Sequence, residues 1–446
     1  MIIEKPLWVC HKGEHGKLTT IYSVDVHPDG TRIATGGGDD NARIWAMEPI
    51  VDKEAEATPT KHPRQLAVCT GHSRAVTSVR WSCNGLFLAC GSDDTSVSLW
   101  TRFDENERGG ENQMGGRQTE EWSRILTCRG HASDVQDVAW SPDDTKLASC
   151  SVDNTVMVWA ITAQTIRKIA LNQPIAKLTE HRGWVKGLAW DPIGKYLASM
   201  GDDHVLNVWR TSDWKIEKQI TEGFQGAKGG GMSTVRRISW SPDGSAISGT
   251  QAYKEPRHCA ILVQRNTWET GTDLVGHTCP VVASRFNPRM MIKEGEGPKA
   301  LAKIAAAEAA AEEAAKKTEE SEAAADGKKK KRKRRKKKKS LQSISACCTA
   351  IGDQRGTISI WLSTAGRPVV ALKNALSNAV TDLSWSDEDG RTLVASSFDG
   401  EILVMRFSEE ELGEVLSKER HVDLLKEMYG SGQFDAAAAL LVENTG

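Results

Sequence analysis

The chain has 446 residues, a formal net charge of −1 at neutral pH, ten cysteines, and fifteen tryptophans against only four tyrosines. No apolar run approaches the roughly 18 residues that cross a bilayer, and Met1–Cys10, short and interrupted by Glu4, Lys5 and Pro6, does not read as a secretory signal. The cysteines show no C-x-x-C spacing, so the expectation is reduced thiols in a cytosolic or nuclear protein, with no structural zinc and no membrane partner.

In chain order the predicted elements are copies of one unit. Ile2–Cys10 is an isolated strand-like segment. Tyr22–Trp45 is a weak first copy that keeps His27-Pro28-Asp29-Gly30 and Asp39. The next three copies are strong. His72 to Trp100, His131 to Trp159 and His181 to Trp209 each span 28 residues. Inside each, Trp81, Trp140 or Trp190 stands 19 residues before the last Trp, and Asp94, Asp153 or Asp203 stands six before it. Such spacing marks an internal repeat of four short strands, the WD-repeat blade of a β-propeller.

One unit shows the physical logic. Val135-Gln136-Asp137-Val138-Ala139-Trp140 alternates like a half-buried strand. Ser141-Pro142-Asp143-Asp144 supplies a turn, Lys146–Ser151 is the next strand, and Asp153-Asn154 turns the chain back into Thr155–Trp159. The His before the first strand is expected to place its imidazole against the Asp carboxylate and tie an outer loop to an inner turn. A metal or acid/base role for these residues is the alternative. Repetition argues against it, because a chemical site is rarely copied into several blades.

The copies continue. Val235–Gln264 opens with Ile238-Ser239-Trp240-Ser241-Pro242-Asp243-Gly244 and lacks the closing Trp. A sixth runs from Gly276-His277 to Ile358-Ser359-Ile360-Trp361 around a long insertion. A seventh spans Ala379–Phe407 with Trp385 and Asp399, and leaves nothing for its outer strand, which Ile2–Cys10 can supply. The sequence therefore predicts an all-β, seven-bladed WD-repeat propeller over 1–407. Residues 2–10 close the ring, a low-complexity insertion occupies 289–343 in blade six, and a helical tail occupies 408–446. A propeller is ordinarily a platform for partners. No Ser/His/Asp set, phosphate-binding Gly-rich loop or metal-ligand spacing outlives the repeat explanation, so neither an enzyme nor a cofactor is expected.

The near-zero charge conceals segregation. Lys328-Lys329-Lys330-Lys331-Arg332-Lys333-Arg334-Arg335-Lys336-Lys337-Lys338-Lys339 holds twelve cations, so the remainder carries −13. The run matches a nuclear localisation signal. It also suits salt-dependent, sequence-blind contact with DNA or RNA, or a solvated spacer. The preceding Pro298–Ala325, rich in Ala and Glu, suits a solvated helix or a disordered stretch. In the tail, Ser408-Glu409-Glu410-Glu411 starts a capped helix. Leu412, Val415, Leu416, Leu424, Leu425 and Met428 suit a helix packed on the propeller rim or one that docks a partner. The ending reads as the front part of something longer. Residues that follow the His and enter each inner strand are the candidate partner-binding positions: Arg74, Asp134, Arg182 and Trp184.

Several stretches resemble a known family beyond the generic repeat. Lys5-Pro6-Leu7-Trp8-Val9 and Tyr22-Ser23-Val24-Asp25-Val26-His27-Pro28-Asp29-Gly30-Thr31 resemble the amino-terminal propeller of the HIRA histone-regulator family. So do Val185–Ser199 with Val208-Trp209-Arg210-Thr211-Ser212-Asp213-Trp214, Arg367-Pro368-Val369-Val370 after Trp361, and Phe407-Ser408-Glu409-Glu410-Glu411-Leu412-Gly413. The resemblance covers nearly everything except Arg289–Ser343 and the last dozen or so residues.

It implies a nuclear histone chaperone subunit that deposits the replication-independent H3 variant with H4 and represses histone genes. It implies a propeller that docks a ubinuclein-type subunit. Contact with H3–H4 and with the anti-silencing histone chaperone is then indirect or made by regions beyond this chain. The insertion Pro298–Lys339 is longer and more basic than the family pattern, and no family binding residue carries over one by one. Two other readings are the small-subunit propeller of the replication-coupled chromatin assembly factor and a nucleolar ribosome-assembly scaffold. Only the lysine run and the Ala/Glu segment favour the second.

Overall fold

A computed structural model describes residues 1–103, 119–168, 170–171, 173–224, 234–292 and 345–430. The basic run and most of the insertion lie outside these residues, so the import or nucleic-acid reading of 328–339 has no structural counterpart.

Seven sheets of at least four strands make a seven-bladed WD-repeat β-propeller. Blade 3 is representative: Val135–Trp140, Lys146–Ser151, Val156–Ala160 and Ala176–Leu178 pair antiparallel in that order. The inner strand of each blade carries small and β-branched residues because neighbouring blades converge there. Val135, Val138, Leu147 and Val158 are fully buried. Trp159 and Trp209, buried to within 1% in successive blades, anchor the seams between sheets, each worth about 1.5–3 kcal/mol or more by area removed from water. The indoles that end the inner strands stitch blade to blade. Trp81, Trp140, Trp190 and Trp385 donate Nε1–H to the carbonyls of Asp25, Arg80, Ala139 and Arg285 at 2.9–3.2 Å.

The ring closes through Ile2–Glu4, which pairs antiparallel with Val404–Arg406 as the outer strand of blade 7 and so covers an edge. Around the axis, buried charges replace apolar packing. Arg80 donates to Asp382 at 2.6 Å, and Arg237 lies 2.5 Å from Asp137. Burial works to raise the Asp382 carboxyl, but Arg80, Arg237 and Arg285 outweigh it and hold it far below the usual carboxylate range.

Three details differ from the sequence expectation. Blade 5 has an inner strand of only two residues, Ser239–Trp240. The cause is visible two residues earlier. Arg237 donates its N–H to Val282 O at 2.9 Å and accepts from Ser284 N at 3.0 Å, so the backbone crosses to blade 6. Arg289–Ile292, assigned to the insertion by composition, is buried. Met291–Ile292 pairs with Ser345–Ala346.

The tail forms two helices rather than one, Glu409–Leu412 and Lys418–Tyr429. Gly413, at φ 93°, ends the first, and Val415 then bridges to Met291. Ser408 and Glu411 form the capping box that starts it.

Candidate functional site

The loops that enter the inner strands and the turns between second and third strands meet on one face. Asp93 N donates to Ala75 O, Val152 N to Asp134 O, Asp202 N to Trp184 O and Phe398 N to Ala379 O, all at 2.8–3.0 Å. On that face the repeat residues of blades 2, 3 and 4 each form a relay. His72, His131 and His181 set Nδ1 at 2.7–3.0 Å from Asp94, Asp153 and Asp203. Their Nε2 atoms reach Ser98, Ser149 and Ser199 at 2.6–2.8 Å. The same hydroxyls accept from the Nε1–H of Trp100, Trp159 and Trp209.

Burial raises each carboxyl, yet the His hydrogen bond and further donors win, and Asp94, Asp153 and Asp203 all stand below the ordinary carboxylate range. Both nitrogens of each ring are engaged, which ties loop to turn and leaves no face for a metal. Among the described residues, no group of three or more His, Cys, Asp or Glu side chains is placed to hold a metal ion.

The relay of blade 1 was illegible in the repeat pattern, and that of blade 6 was legible at Gly276-His277 and Ser359 but not at its Asp. In blade 1 the imidazole comes from His11, in the entry segment. Its Nδ1 lies 2.6 Å from Asp39 and its Nε2 2.8 Å from Thr35. Gly37 makes room: a Cβ there would lie 2.0 Å from His11 Nδ1. In blade 6, His277 reaches Asp353 and Ser359 at 2.8 Å across the insertion. The signal for His11 was present, but its distance from Asp39 is 28 residues, against 22 in the strong copies.

The four candidate partner-binding residues separate into two groups. Arg74 and Asp134 come together from adjacent blades, 3.5 Å apart, and Arg74 also donates to Asp93 O. Burial, reinforced by Asp134, pushes the Asp93 carboxyl up to about 6. Arg182 and Trp184 sit together on the loop of blade 4. Trp184 is 38% exposed, an unusual state for an indole in this molecule, and the Lys186 ammonium stands 5.1 Å from its ring centroid.

The opposite face holds a cavity of about 390 Å³. It is lined by the inner-strand indoles, by the prolines of the turns that follow them, and by Lys418, His421 and Leu425 of the second tail helix. There His421 Nε2 lies 2.9 Å from Pro242 O and Tyr429 donates to Asp243 O at 2.9 Å. The tail helix is thus packed on a propeller face. No helix among the described residues is long and apolar enough to cross a membrane.

Fold and relay define the class: a WD-repeat propeller whose repeated polar residues tie loop to turn within a blade. Comparison narrows it. The family profile described as the CAF1B/HIR1 beta-propeller domain matches residues 13–304. The chain is 35% identical over 416 residues to Protein HIR1 of Cryptococcus neoformans, covering 92% of this chain and 40% of that protein. It is 36% identical over 440 residues to Protein HIRA of Takifugu rubripes, covering 96% and 37%. Against Protein HIRA of Homo sapiens it is 35% identical over 437 residues, covering 96% and 37%. The chain belongs to the HIRA family. It spans about two fifths of the length of these relatives.

Proposed function

We propose that this chain is the docking propeller of a nuclear histone chaperone complex, acting in replication-independent nucleosome assembly and in repression of histone genes. Its role is to hold a ubinuclein-type subunit on the loop face. H3–H4 and the anti-silencing chaperone are held by other subunits or by parts of the relatives that this chain does not span. No chemical step and no cofactor enter the proposal.

The observation that carries it is family membership over more than nine tenths of the chain, joined to an exposed Trp184 flanked by cations. Aromatic and arginine side chains of this kind concentrate binding energy at protein interfaces. The test is affinity purification of the tagged chain from nuclear extract, with mass spectrometry of what stays bound. Recovery of a ubinuclein-like protein, with or without H3 and H4, is expected. Ribosome-assembly factors released by nuclease would instead make the lysine run the functional centre.

A second reading is the small-subunit propeller of the replication-coupled chromatin assembly factor. It is favoured because the matching profile covers both CAF1B and HIR1. Against it stands the capped ending Phe407–Gly413, a feature of the HIRA resemblance. Co-purification of the other assembly-factor subunits in place of the ubinuclein-type protein is the outcome that selects it.

A further inference from the structure

The seam between blades 4 and 5 departs from the other seams on the loop face. The crossing of the 235–238 backbone toward blade 6 brings Arg236 hard against the inner strand of blade 4. A Cβ on Gly187 would lie 1.9 Å from Arg236 O. Arg236 is 4% exposed, and its neighbour across the seam, Lys186, is 3% exposed. Both cations turn to the same carboxylate. Lys186 Nζ lies 2.7 Å from Asp202 Oδ2, and Arg236 Nε lies 2.9 Å from Asp202 Oδ1.

The second contact is poorly formed. Among the described residues, neither Arg236 Nε nor Asp202 Oδ1 makes a hydrogen bond, and Arg236 Nη1 has no acceptor. A buried guanidinium normally fills its fork with acceptors. Burial pushes the Arg236 guanidinium below its ordinary value despite the pull of Asp202, and burial together with Arg236 also lowers His204, whose Nδ1 is unpartnered. Among the described residues the Arg236 fork is therefore short of acceptors. The cluster opens at Asp202, whose side chain is 21% exposed. The rim is formed by Trp184, whose carbonyl accepts from Asp202 N, and by the exposed Arg182.

We infer that Lys186, Arg236, Asp202 and Trp184 form an anion-accepting subsite for an acidic peptide segment. A partner carboxylate completes the Arg236 fork while the adjacent apolar side chain lies on the Trp184 ring. The inference deepens the docking role assigned to this face and rests on that reading. It names the chemistry of the docked segment, an Asp or Glu next to an aliphatic or aromatic residue. An ion pair formed at the mouth of a desolvated cluster gains more than one on an open surface, because water screens it less.

The test is a phage library of random dodecapeptides panned on the full chain and on its Arg236→Gln, Lys186→Gln and Trp184→Ala variants. Each variant is checked for an unchanged melting temperature, so that Lys186→Gln or Trp184→Ala carries the result if Arg236→Gln fails to fold. The parent chain is expected to select peptides that pair Asp or Glu with an apolar neighbour. Their Kd should rise at least tenfold in each folded variant and rise with salt. Selection without acidic enrichment, no selection at all, or unchanged affinity in folded variants would overturn the subsite.

Purification from nuclear extract keeps the two proposals apart. Acidic selection without a ubinuclein-type protein in the purified material sinks the chaperone reading and leaves the subsite standing. A ubinuclein-type protein recovered equally by parent and variants sinks the subsite and leaves the chaperone reading.

Discussion

Blades 2–4 and blade 5 are held together by different chemistry. In the first three a hydrogen-bonded relay of His, Asp, Ser and Trp repeats with distances within a few tenths of an ångström. Blade 5 has Val263 where the closing Trp would stand, and its second strand bulges at Gln251, φ 58°. In place of the relay it has buried ion pairs. Arg265 donates twice to Asp191 of blade 4, at 2.8 and 2.9 Å, and its guanidinium lies 4.8–5.5 Å from the ring centroids of Tyr196, Trp240 and Tyr429. Trp268 stacks edge-on against Tyr196 and Trp240. The repeat signature measures how a blade is tethered, and its loss marks where another device has taken over.

The sharpest way to break this contrast is Arg265→Ala. Asp191 is fully buried, so removing its partner leaves an unpaired charge inside the protein and should cost about 3–5 kcal/mol. The tail helix, held partly through Tyr429 over Arg265, should loosen as well. Chemical denaturation is the measurement. A loss below ~1 kcal/mol would mean that Trp268 packing alone holds blade 5.

His131→Ala tests the other side of the comparison and should cost less, about 1–3 kcal/mol, because it strands Asp153 and Ser149 without stranding a deeply buried charge. Its effect should also depend on pH. The relay carboxylates are depressed, with Asp39 held at about 2 after burial is outweighed by His11 and Arg43. A depressed carboxylate contributes stability above its unfolded pKa, roughly 4, and loses it as pH falls through the folded value. The gap between His131→Ala and the parent should therefore be widest above pH ~4 and narrow toward pH ~2. A gap that widened on acidification would reverse the assignment.

Asp93 should behave in the opposite way. Its carboxyl is raised to about 6, first by burial and then by Asp134. Ionisation is thus unfavourable in the fold, and the penalty grows as pH climbs from the unfolded value through about 6. Asp93→Asn should raise the melting temperature slightly at pH 7 and not at pH 4. Equal effects at both would show that Asp93 carries its charge without penalty.

Blades 2–4 were legible because fixed spacing survives wherever loop and turn lengths are constant. The tether of blade 1 was hidden because His11 arrives by a longer path, through the two-stranded pairing of His11–Lys12 with Leu18–Thr19. Blade 5 was legible as a weak copy, but nothing local in Val235-Arg236-Arg237 announces that Arg237 pairs with blade 6. That choice is made by Val282 and Ser284, tens of residues downstream. Of the candidate site, Arg182 and Trp184 were placed by their position after His181. Lys186 and Arg236 were missed because their meeting depends on that crossing. An Arg-Arg pair at the head of a degenerate inner strand was the one signal available.

Trp184→Ala separates docking from stability. In the relay an indole such as Trp159, 1% exposed, is core, and its removal would cost several kcal/mol. Trp184 closes no relay. It is 38% exposed, it contacts Lys186 across its ring, and the bond of its backbone to Asp202 is independent of the side chain. Truncation should therefore move stability by about 0.5 kcal/mol or less, the range of ordinary surface substitutions. Recovery of the docked partner should fall at least tenfold, about 1.4 kcal/mol. Calorimetry and quantitative pull-down on the same preparation decide it. A large fall in melting temperature would assign Trp184 to its own blade, and the loop face would then need another anchor.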